Sequence, residues 1–233
     1  MREDMKDITV LSLGGSIISP NEVDVEFVRS FTAAVTSYLE EDPKRSLIIV
    51  TGGGAPARLY QTAYKKIAKE PVADLLDEIG IAATRLNAAL IKAAFSDYCD
   101  EPVVTDPTSE IAFSSRVLIA SGWKPGFSSD TDAVYLAKKF GAKKVINLSN
   151  IAKVYTADPK VDLSATPIDT ISWKEFRLLV GDTWIPGKNV PFDPIASKEA
   201  ESIGLTVICA DGRNIENTMN ILTNKEFVGT VIG

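Results

Sequence analysis

The sequence contains no histidine, and this absence removes several classes of enzyme from consideration. Ser-His-Asp and Cys-His catalysis both require an imidazole, and histidine is also the side chain that most often moves protons near neutral pH. Any chemistry carried out by this chain must therefore use carboxylates, lysines, arginines, hydroxyls or backbone amides.

Cysteine is nearly as scarce, since the 233 residues include only Cys99 and Cys209. Two cysteines without a histidine cannot supply the four ligands of a structural zinc site, and a pair so far apart does not indicate a disulfide framework. We predict that both are small, buried core residues.

Long apolar runs are also missing, and no segment resembles a signal peptide or a membrane span. We therefore expect a cytoplasmic protein without a membrane partner. The net charge of -6 provides no general attraction to polyanions, so we expect no nucleic-acid partner. A phosphate group bound by this chain must be held by a few local groups.

The remaining composition, 45% hydrophobic and 24% charged, is typical of a globular protein. Segments rich in β-branched residues predict buried strands at residues 8–13, 47–51, 117–120, 145–148 and 205–210. Segments with helical periodicity predict helices at residues 25–39, 55–68, 75–95, 132–140 and 194–203. This alternation predicts an α/β fold, in which a largely parallel sheet lies between two helical layers as a three-layer αβα sandwich. Residues 181–194, rich in proline and glycine, are predicted to form a loop.

Ligands of open α/β sheets bind beyond the carboxyl ends of the strands, and three predicted strand ends carry suitable residues. The first is Ser-Leu-Gly-Gly-Ser at residues 12–16. Gly14 and Gly15 would let the backbone approach an anion, and Ser16 offers a hydroxyl. The same pattern is also typical of an ordinary turn.

The second strand end is Val-Thr-Gly-Gly-Gly-Ala-Pro-Ala-Arg at residues 50–58. Its three glycines precede a predicted helix, whose N-terminus would attract an anion, and Arg58 one turn later could add a bidentate phosphate contact. The alternative is a plain strand-to-helix connection with an arginine facing solvent. The segment is not a Walker A motif, because the Gly-Lys-Ser/Thr ending is absent.

The third strand end, residues 122–132, combines glycines, hydroxyls, a lysine and two carboxylates. Such a loop could hold a phosphate together with a magnesium ion. Alternatively, Asp130, Thr131 or Asp132 would only cap a helix that begins near Ala133.

The specific signal is the order of these segments along residues 8–233. The segments are Val-Thr-Gly-Gly-Gly-x-x-Ala-Arg at 50–58, Ile-Gly-Ile at 79–81, Thr-Arg-Leu-Asn-Ala at 84–88, Pro-Gly at 125–126, Thr-Asp-Ala-Val at 131–134, Val-Tyr-Thr-Ala-Asp-Pro-Lys at 154–160, and Asp-Pro at 193–194 with Lys198. In this order they resemble the amino-acid-kinase superfamily, and within it the archaeal-type uridylate (UMP) kinases. The related isopentenyl phosphate kinases carry a functional histidine, which is absent here.

The resemblance implies an ATP- and Mg²⁺-dependent enzyme that phosphorylates UMP to UDP in pyrimidine biosynthesis. It implies one amino-acid-kinase domain with an acceptor-binding lobe at about residues 1–125 and an ATP-binding lobe at about residues 126–233. It also implies a homo-oligomer, namely a hexamer built from dimers.

The resemblance further assigns site residues. On the ATP side they are Gly15, Ser16, Gly54, Arg58, Ser149, Asn150, Tyr155 and Asp158. On the UMP side they are Gly53, Asp77, Trp123, Lys124, Pro125, Gly126, Phe127, Ser128 and Ser129. Arg58, Lys124 and Asp132 are the expected catalytic residues, with Lys153 as the alternative lysine, and no metal ligand is assigned.

Several positions depart from the family pattern. Ser12 stands where many members have a lysine, and Ala152-Lys153 replaces an Asp-Gly pair. The loop before Thr131 looks two residues longer. These departures leave two alternatives: a kinase of the same fold for another small phosphate or carboxylate acceptor, and a non-catalytic nucleotide-binding or storage protein.

Overall fold

The computed structural model describes residues 6–159, 161–181, 183 and 190–233. The strands are β1 (Asp7–Leu13), β2 (Arg45–Thr51), β3 (Val117–Ala120), β4 (Lys144–Ser149), β5 (Val154–Tyr155), β6 (Pro167–Ile168), β7 (Thr170–Ile171), β8 (Thr206–Asp211) and β9 (Thr230–Ile232). The helices are α1 (Gly15–Ile18), α2 (Val25–Glu40), α3 (Gly54–Ile67), α4 (Ala73–Ala94), α5 (Ser129–Phe140), α6 (Trp173–Val180), α7 (Pro194–Ser202) and α8 (Ile215–Leu222).

Within the described part of the chain, the main sheet has seven strands in the order β3-β2-β1-β4-β8-β9-β7. β9 runs antiparallel to β8, while the other neighbouring strands of this sheet pair in parallel. β5 and β6 form a separate antiparallel pair. The predicted α/β fold with a largely parallel sheet is therefore confirmed.

Alternation along the strands divides the core into two layers, because successive side chains point to opposite faces of a sheet. Leu11 and Leu13 pack with α2, α4 and α8 on one face, whereas Val10 packs with α5, α6 and α7 on the other. This arrangement is the predicted three-layer αβα sandwich. Cys99 and Cys209 are both buried, as predicted.

Helix α3 lies outside these layers. None of its residues is buried, and it packs mainly against α4. Among the described residues, no helix is both long and apolar enough to cross a membrane.

The ten predicted strands and helices are all present, with ends shifted by at most three residues. The sequence patterns did not predict the short elements α1, α6, α8, β5, β6, β7 and β9. The predicted loop at residues 181–194 is described only in part, because residues 182 and 184–189 lie outside the described residues, as does Lys160.

The start of α5 differs from the prediction. The helix begins at Ser129, and Ser128 is its N-cap, with its hydroxyl accepting a hydrogen bond from the Thr131 N–H at 3.3 Å. The alternative in which Asp130, Thr131 or Asp132 caps the helix is therefore wrong. Ser129 and Asp130 belong to the first turn of α5.

Candidate active site

The first two glycine-rich strand ends meet in one place, because β1 and β2 are parallel neighbours with Leu13 opposite Thr51. A Cβ atom on Gly15 would lie 2.0 Å from the Gly54 nitrogen, so only glycine permits this approach of the two backbones. Gly54 has a φ of +66°, which also favours glycine. The two loops therefore form one continuous backbone surface at the carboxyl edge of the sheet.

Two cavities open on this edge. The α3–α4 cavity, of about 520 Å³, is lined by Gly53, Gly54, Ala57, Arg58, Gln61, Thr62, Lys65, Asp77, Gly80, Ile81, Thr84, Gly122, Phe127, Ser128 and Ser129. The β1–β4 cavity, of about 800 Å³, is lined by Ser12, Gly14, Gly15, Ser16, Gly52, Arg58, Ser129, Asp130, Asn147, Ser149, Asn150, Ile151, Lys153, Tyr155, Ala157, Asp158, Pro159, Leu179, Val180, Val190 and Pro191. Arg58 and Ser129 line both cavities, so the two cavities adjoin at these residues.

One wall of the α3–α4 cavity is a polar face of α3. Arg58, Gln61, Thr62 and Lys65 follow the i, i+3, i+4, i+7 spacing that places side chains on one side of a helix. Gln61 donates a hydrogen bond to the Leu76 carbonyl at 2.8 Å, which ties this face to α4. The sequence interpretation found only Arg58, although helical spacing from Arg58 would have identified the other three.

Across the cavity, α4 holds the loop that follows β3. The Asp77 carboxylate accepts a hydrogen bond from the Gly126 N–H at 2.9 Å, and the Thr84 hydroxyl accepts one from the Gly122 N–H at 2.8 Å. From α5, Asp132 accepts a third from the Trp123 N–H at 3.2 Å. Three backbone amides of this loop are thus fixed by side chains of α4 and α5.

The same loop carries an aromatic cluster that the sequence interpretation did not predict. The Trp123 and Phe127 ring centroids are 4.8 Å apart, and Tyr135 of α5 lies 6.2 Å from Trp123 and 6.3 Å from Phe127. The Lys124 ammonium sits 3.8 Å from the Trp123 centroid and 5.0 Å from the Phe127 centroid. Of these four residues, only Phe127 lines the α3–α4 cavity.

Three carboxylates surround the start of α5. Ser12 donates a hydrogen bond to Asp130 Oδ1 at 3.0 Å, and the Asp193 N–H donates to Asp130 Oδ2 at 3.2 Å. Loss of solvent and the neighbouring Asp193 charge raise the pKa of Asp130 to about 6. Asp193 caps α7 through Oδ1, which accepts from the Ala196 N–H at 2.8 Å.

Asp132 is more deeply enclosed, with none of its surface exposed. Burial raises its pKa to about 8, although the hydrogen bond from Trp123 acts in the opposite direction. Its Oδ1 atom is buried and lacks a hydrogen-bond partner within the described part of the chain. Asp132 lines neither cavity, so the structure places it behind the loop that it anchors.

A positively charged side chain in the wall of the β1–β4 cavity is held by an ion pair. Lys153 pairs with Asp169 and lines the cavity. Ser149 lines it as well, and its hydroxyl is buried without a hydrogen-bond partner among the described residues. A buried polar group without a hydrogen-bond partner costs free energy. The Ser149 hydroxyl is therefore available to form a hydrogen bond with a bound ligand.

Most of the residues predicted to bind the same substrate line the same cavity. The β1–β4 cavity includes the predicted ATP-side residues Gly15, Ser16, Arg58, Ser149, Asn150, Tyr155 and Asp158. The α3–α4 cavity includes the predicted UMP-side residues Gly53, Asp77, Phe127, Ser128 and Ser129. The structure places Gly54 on the α3–α4 cavity, away from its predicted side, and Trp123, Lys124, Pro125 and Gly126 line neither cavity.

A match to the family model for the amino acid kinase family covers residues 7–211, which is most of the chain. The chain belongs to the amino acid kinase family.

Proteins similar to the chain include uridylate kinases. That of Methanocorpusculum labreanum is 33% identical over 228 residues, covering 96% of this chain and 94% of that protein. That of Archaeoglobus fulgidus is 35% identical over 227 residues, covering 96% and 98%. A crystal structure of uridylate kinase from Archaeoglobus fulgidus matches with a TM-score of 0.81 and 34% identity, covering 97% of this chain and 99% of that one. The UMP kinase of Bacillus anthracis shares the fold with a TM-score of 0.77 at 16% identity.

Proposed function

We propose that this protein transfers the γ-phosphoryl group of ATP to UMP, giving UDP and ADP. The observation that carries the proposal is the junction of two cavities at Arg58 and Ser129. A kinase needs two anionic substrates side by side, with positive charge where the phosphoryl group passes between them. The similarity to uridylate kinases supports UMP as the acceptor.

We propose that UMP occupies the α3–α4 cavity. Asp77 uses Oδ2 to hold Gly126, and its other carboxylate oxygen would accept hydrogen bonds from the ribose hydroxyls. The glycine backbone of Gly53 and Gly54 would face the UMP phosphate at the start of α3. Ser128 and Ser129 would supply hydroxyls on the opposite side.

ATP would then occupy the β1–β4 cavity. Gly15 and Ser16 would face its phosphates, because the backbone at Gly15, where α1 begins, lies against the start of α3. Ser149, Asn150, Tyr155 and Asp158 would hold the adenosine end, with the Tyr155 ring offering a flat apolar face. The acceptor-binding lobe at about residues 1–125 and the ATP-binding lobe at about 126–233 would correspond to these two cavities.

The proposed phosphoryl transfer does not require a histidine. The acceptor phosphate is already an anion, so the transfer needs no general base and no covalent intermediate. Arg58 borders both cavities and would neutralise charge on the phosphoryl group during transfer. Lys153 also lines the ATP-side cavity.

The residues present fit a magnesium ion delivered with ATP. Among the described residues, no group of three acidic, cysteine or histidine side chains could hold a metal by itself. Mg²⁺ in nucleotide sites is bound by one or two carboxylates together with substrate phosphates and water. Asp130 lies beside Ser129 on the β1–β4 cavity and would be the protein ligand, while the ion would neutralise phosphate charge.

We also propose that the enzyme acts in pyrimidine biosynthesis in the cytoplasm and assembles as a hexamer built from dimers. Apolar side chains on α3 and α4 support assembly, since Leu59, Ile67 and Leu86 are between 65% and 81% exposed. Exposed apolar surface of this kind is typical of contacts between subunits.

The decisive experiment measures ADP release from Mg²⁺-ATP with each of a panel of nucleoside monophosphates and small carboxylates. Thermal shifts caused by each nucleotide are recorded in parallel. We expect turnover with UMP in preference to the other acceptors. Turnover with a different acceptor would replace UMP, and thermal shifts without any turnover would indicate a binding protein.

A further inference from the structure

We propose that Lys124 is a positioning residue, which holds the Phe127 ring in the wall of the α3–α4 cavity and so sets the affinity for the planar base of the acceptor nucleotide. The inference rests on the proposed function, because it takes the occupant of this cavity to be a nucleotide. It gives Lys124 a role that involves no contact with a phosphate.

The position of the Lys124 ammonium carries the inference. It lies over two rings at once, 3.8 Å from the Trp123 centroid and 5.0 Å from the Phe127 centroid. A cation at these distances is attracted to the faces of both rings. Because the two rings are also in contact with each other, the ammonium fixes their mutual orientation.

Phe127 is the member of this cluster that reaches the cavity. Tyr135 contacts the Phe127 ring from α5. The Phe127 backbone N–H donates a hydrogen bond to the Lys124 carbonyl at 3.3 Å. The ring is thus supported by α5 on one side and by Trp123 and Lys124 on another. An aromatic ring held in a cavity wall offers a flat apolar face to a nucleotide base.

The backbone of this loop is fixed independently of the Phe127 side chain. Gly126, just before Phe127, has a φ of +84°, and a Cβ added there would meet nothing within 4 Å. The loop amides are anchored at Gly122, Trp123 and Gly126. None of these anchors holds the Phe127 side chain, which leaves its orientation to the aromatic cluster.

Lys124 is poorly placed for the phosphate contact that the sequence predicted. It is exposed and lines neither cavity, whereas Arg58 lines both. The exposed ammonium lies against the Trp123 and Phe127 rings.

The test compares Lys124→Met with Lys124→Arg in steady-state kinetics and in binding of UMP and uridine, with uridine measured as a competitive inhibitor. Methionine keeps the bulk of the side chain without its charge, and arginine keeps the attraction to the rings. Lys174→Met, an exposed lysine of α6, is the matched control.

We expect Lys124→Met to raise KM for UMP by about twofold to fivefold, with kcat changed less than twofold. The affinity for uridine should fall by the same factor as the affinity for UMP, because both ligands carry the base that the Phe127 ring contacts. Lys124→Arg should restore both affinities, and Lys174→Met should resemble the wild type.

A loss for UMP without a loss for uridine would assign Lys124 to the phosphate and overturn the inference, as would a Lys124→Met variant with unchanged affinities. If the wild-type protein failed to phosphorylate UMP, the proposed function itself would fail. A fully active wild type with an unaffected Lys124→Met variant would reject this inference alone.

Discussion

The Ser12 hydroxyl donates a hydrogen bond to the Asp130 carboxylate at 3.0 Å, joining the end of β1 to the first turn of α5. Successive side chains of β1 point to opposite faces of the sheet, so Ser12 lies on the same face as Val10. Helix α5 packs against this face, which explains the contact. Asp130 is thereby held at the floor of the β1–β4 cavity. The Ser12 side chain therefore orients a carboxylate.

Ser12→Ala should lower the free energy of unfolding by about 1–3 kcal/mol at pH 8, because Asp130 loses a hydrogen bond to its ionised form. The loss should be smaller at pH 5, below the Asp130 pKa of about 6, where the carboxyl is neutral. Urea denaturation at the two pH values measures the difference. Ser46→Ala is the matched control, since Ser46 is buried and its hydroxyl has no hydrogen-bond partner in the described part of the chain. Equal effects at both pH values would contradict this role of Ser12.

Asp132 should make the protein less stable as the pH rises. Its folded-state pKa of about 8 exceeds the usual 3.8, so between these values the folded protein holds a proton that the unfolded chain has lost. Its contribution to stability is complete below pH 3.8 and is lost as the pH rises to about 8. Asp132→Asn should remove a slope of about 1.4 kcal/mol per pH unit between pH 5 and 7.

Chemical denaturation across this pH range tests the Asp132 prediction. Asp97→Asn, which alters an exposed carboxylate, provides the control and should leave the slope unchanged. If Asp132→Asn and wild type lost stability in parallel with pH, Asp132 would be ionised in the folded protein.

The sequence predicted the sheet and the long helices, because their signals are local. Buried parallel strands are apolar on both faces, and the glycines at residues 52–54 follow directly from one of them. The family order of motifs then grouped distant residues such as Asp77 and Phe127, which the structure places on one cavity.

Other features depend on tertiary contacts that no local pattern contains. The N-cap of α5 was misplaced because several of residues 128–132 can cap a helix, and packing of the helix decides which one does. The contact between the Lys124 ammonium and the Trp123 ring is another such feature, because no local pattern shows it. The element β9 is three residues long and gains its partner β8 only through the folded sheet.

Arg58→Ala should reduce kcat by about 10² to 10³ while changing the dissociation constant of UMP less than threefold. Arg58 lies at the junction of the cavities, where it would interact more strongly with the phosphoryl group in transfer than with bound UMP. Steady-state kinetics and UMP titration measure the two effects. Arg29→Ala serves as control, because Arg29 is exposed and pairs only locally with Glu26 among the described contacts. Unchanged turnover in Arg58→Ala would remove Arg58 from the proposed mechanism.

Asp77→Asn should lower the affinity for UMP about fivefold to tenfold and leave the affinity for ATP within twofold of the wild type. The reason is that a charged acceptor binds hydroxyl donors more strongly than an amide does. Asparagine still offers an oxygen to the Gly126 N–H, so the loop anchor is retained. Calorimetric titration with each nucleotide separates the two affinities. Asp74→Asn, an exposed carboxylate one turn earlier in α4, should bind both normally. Equal weakening of UMP and ATP by Asp77→Asn would show that Asp77 supports the fold of the site.

The wild-type protein should elute as a single species with a mass several times that of the monomer, and Leu86→Glu should reduce this mass. Leu86 lies on α4 and is 65% exposed, although the helix already packs against the sheet and α3. A charge placed in a contact between two copies of α4 would occur twice about a two-fold axis and would repel itself. Leu163→Glu is the control, because Leu163 is 97% exposed in a loop far along the chain from α4. Size-exclusion chromatography with light scattering across a dilution series measures the masses, and a wild-type protein of monomer mass at every concentration would refute the assembly.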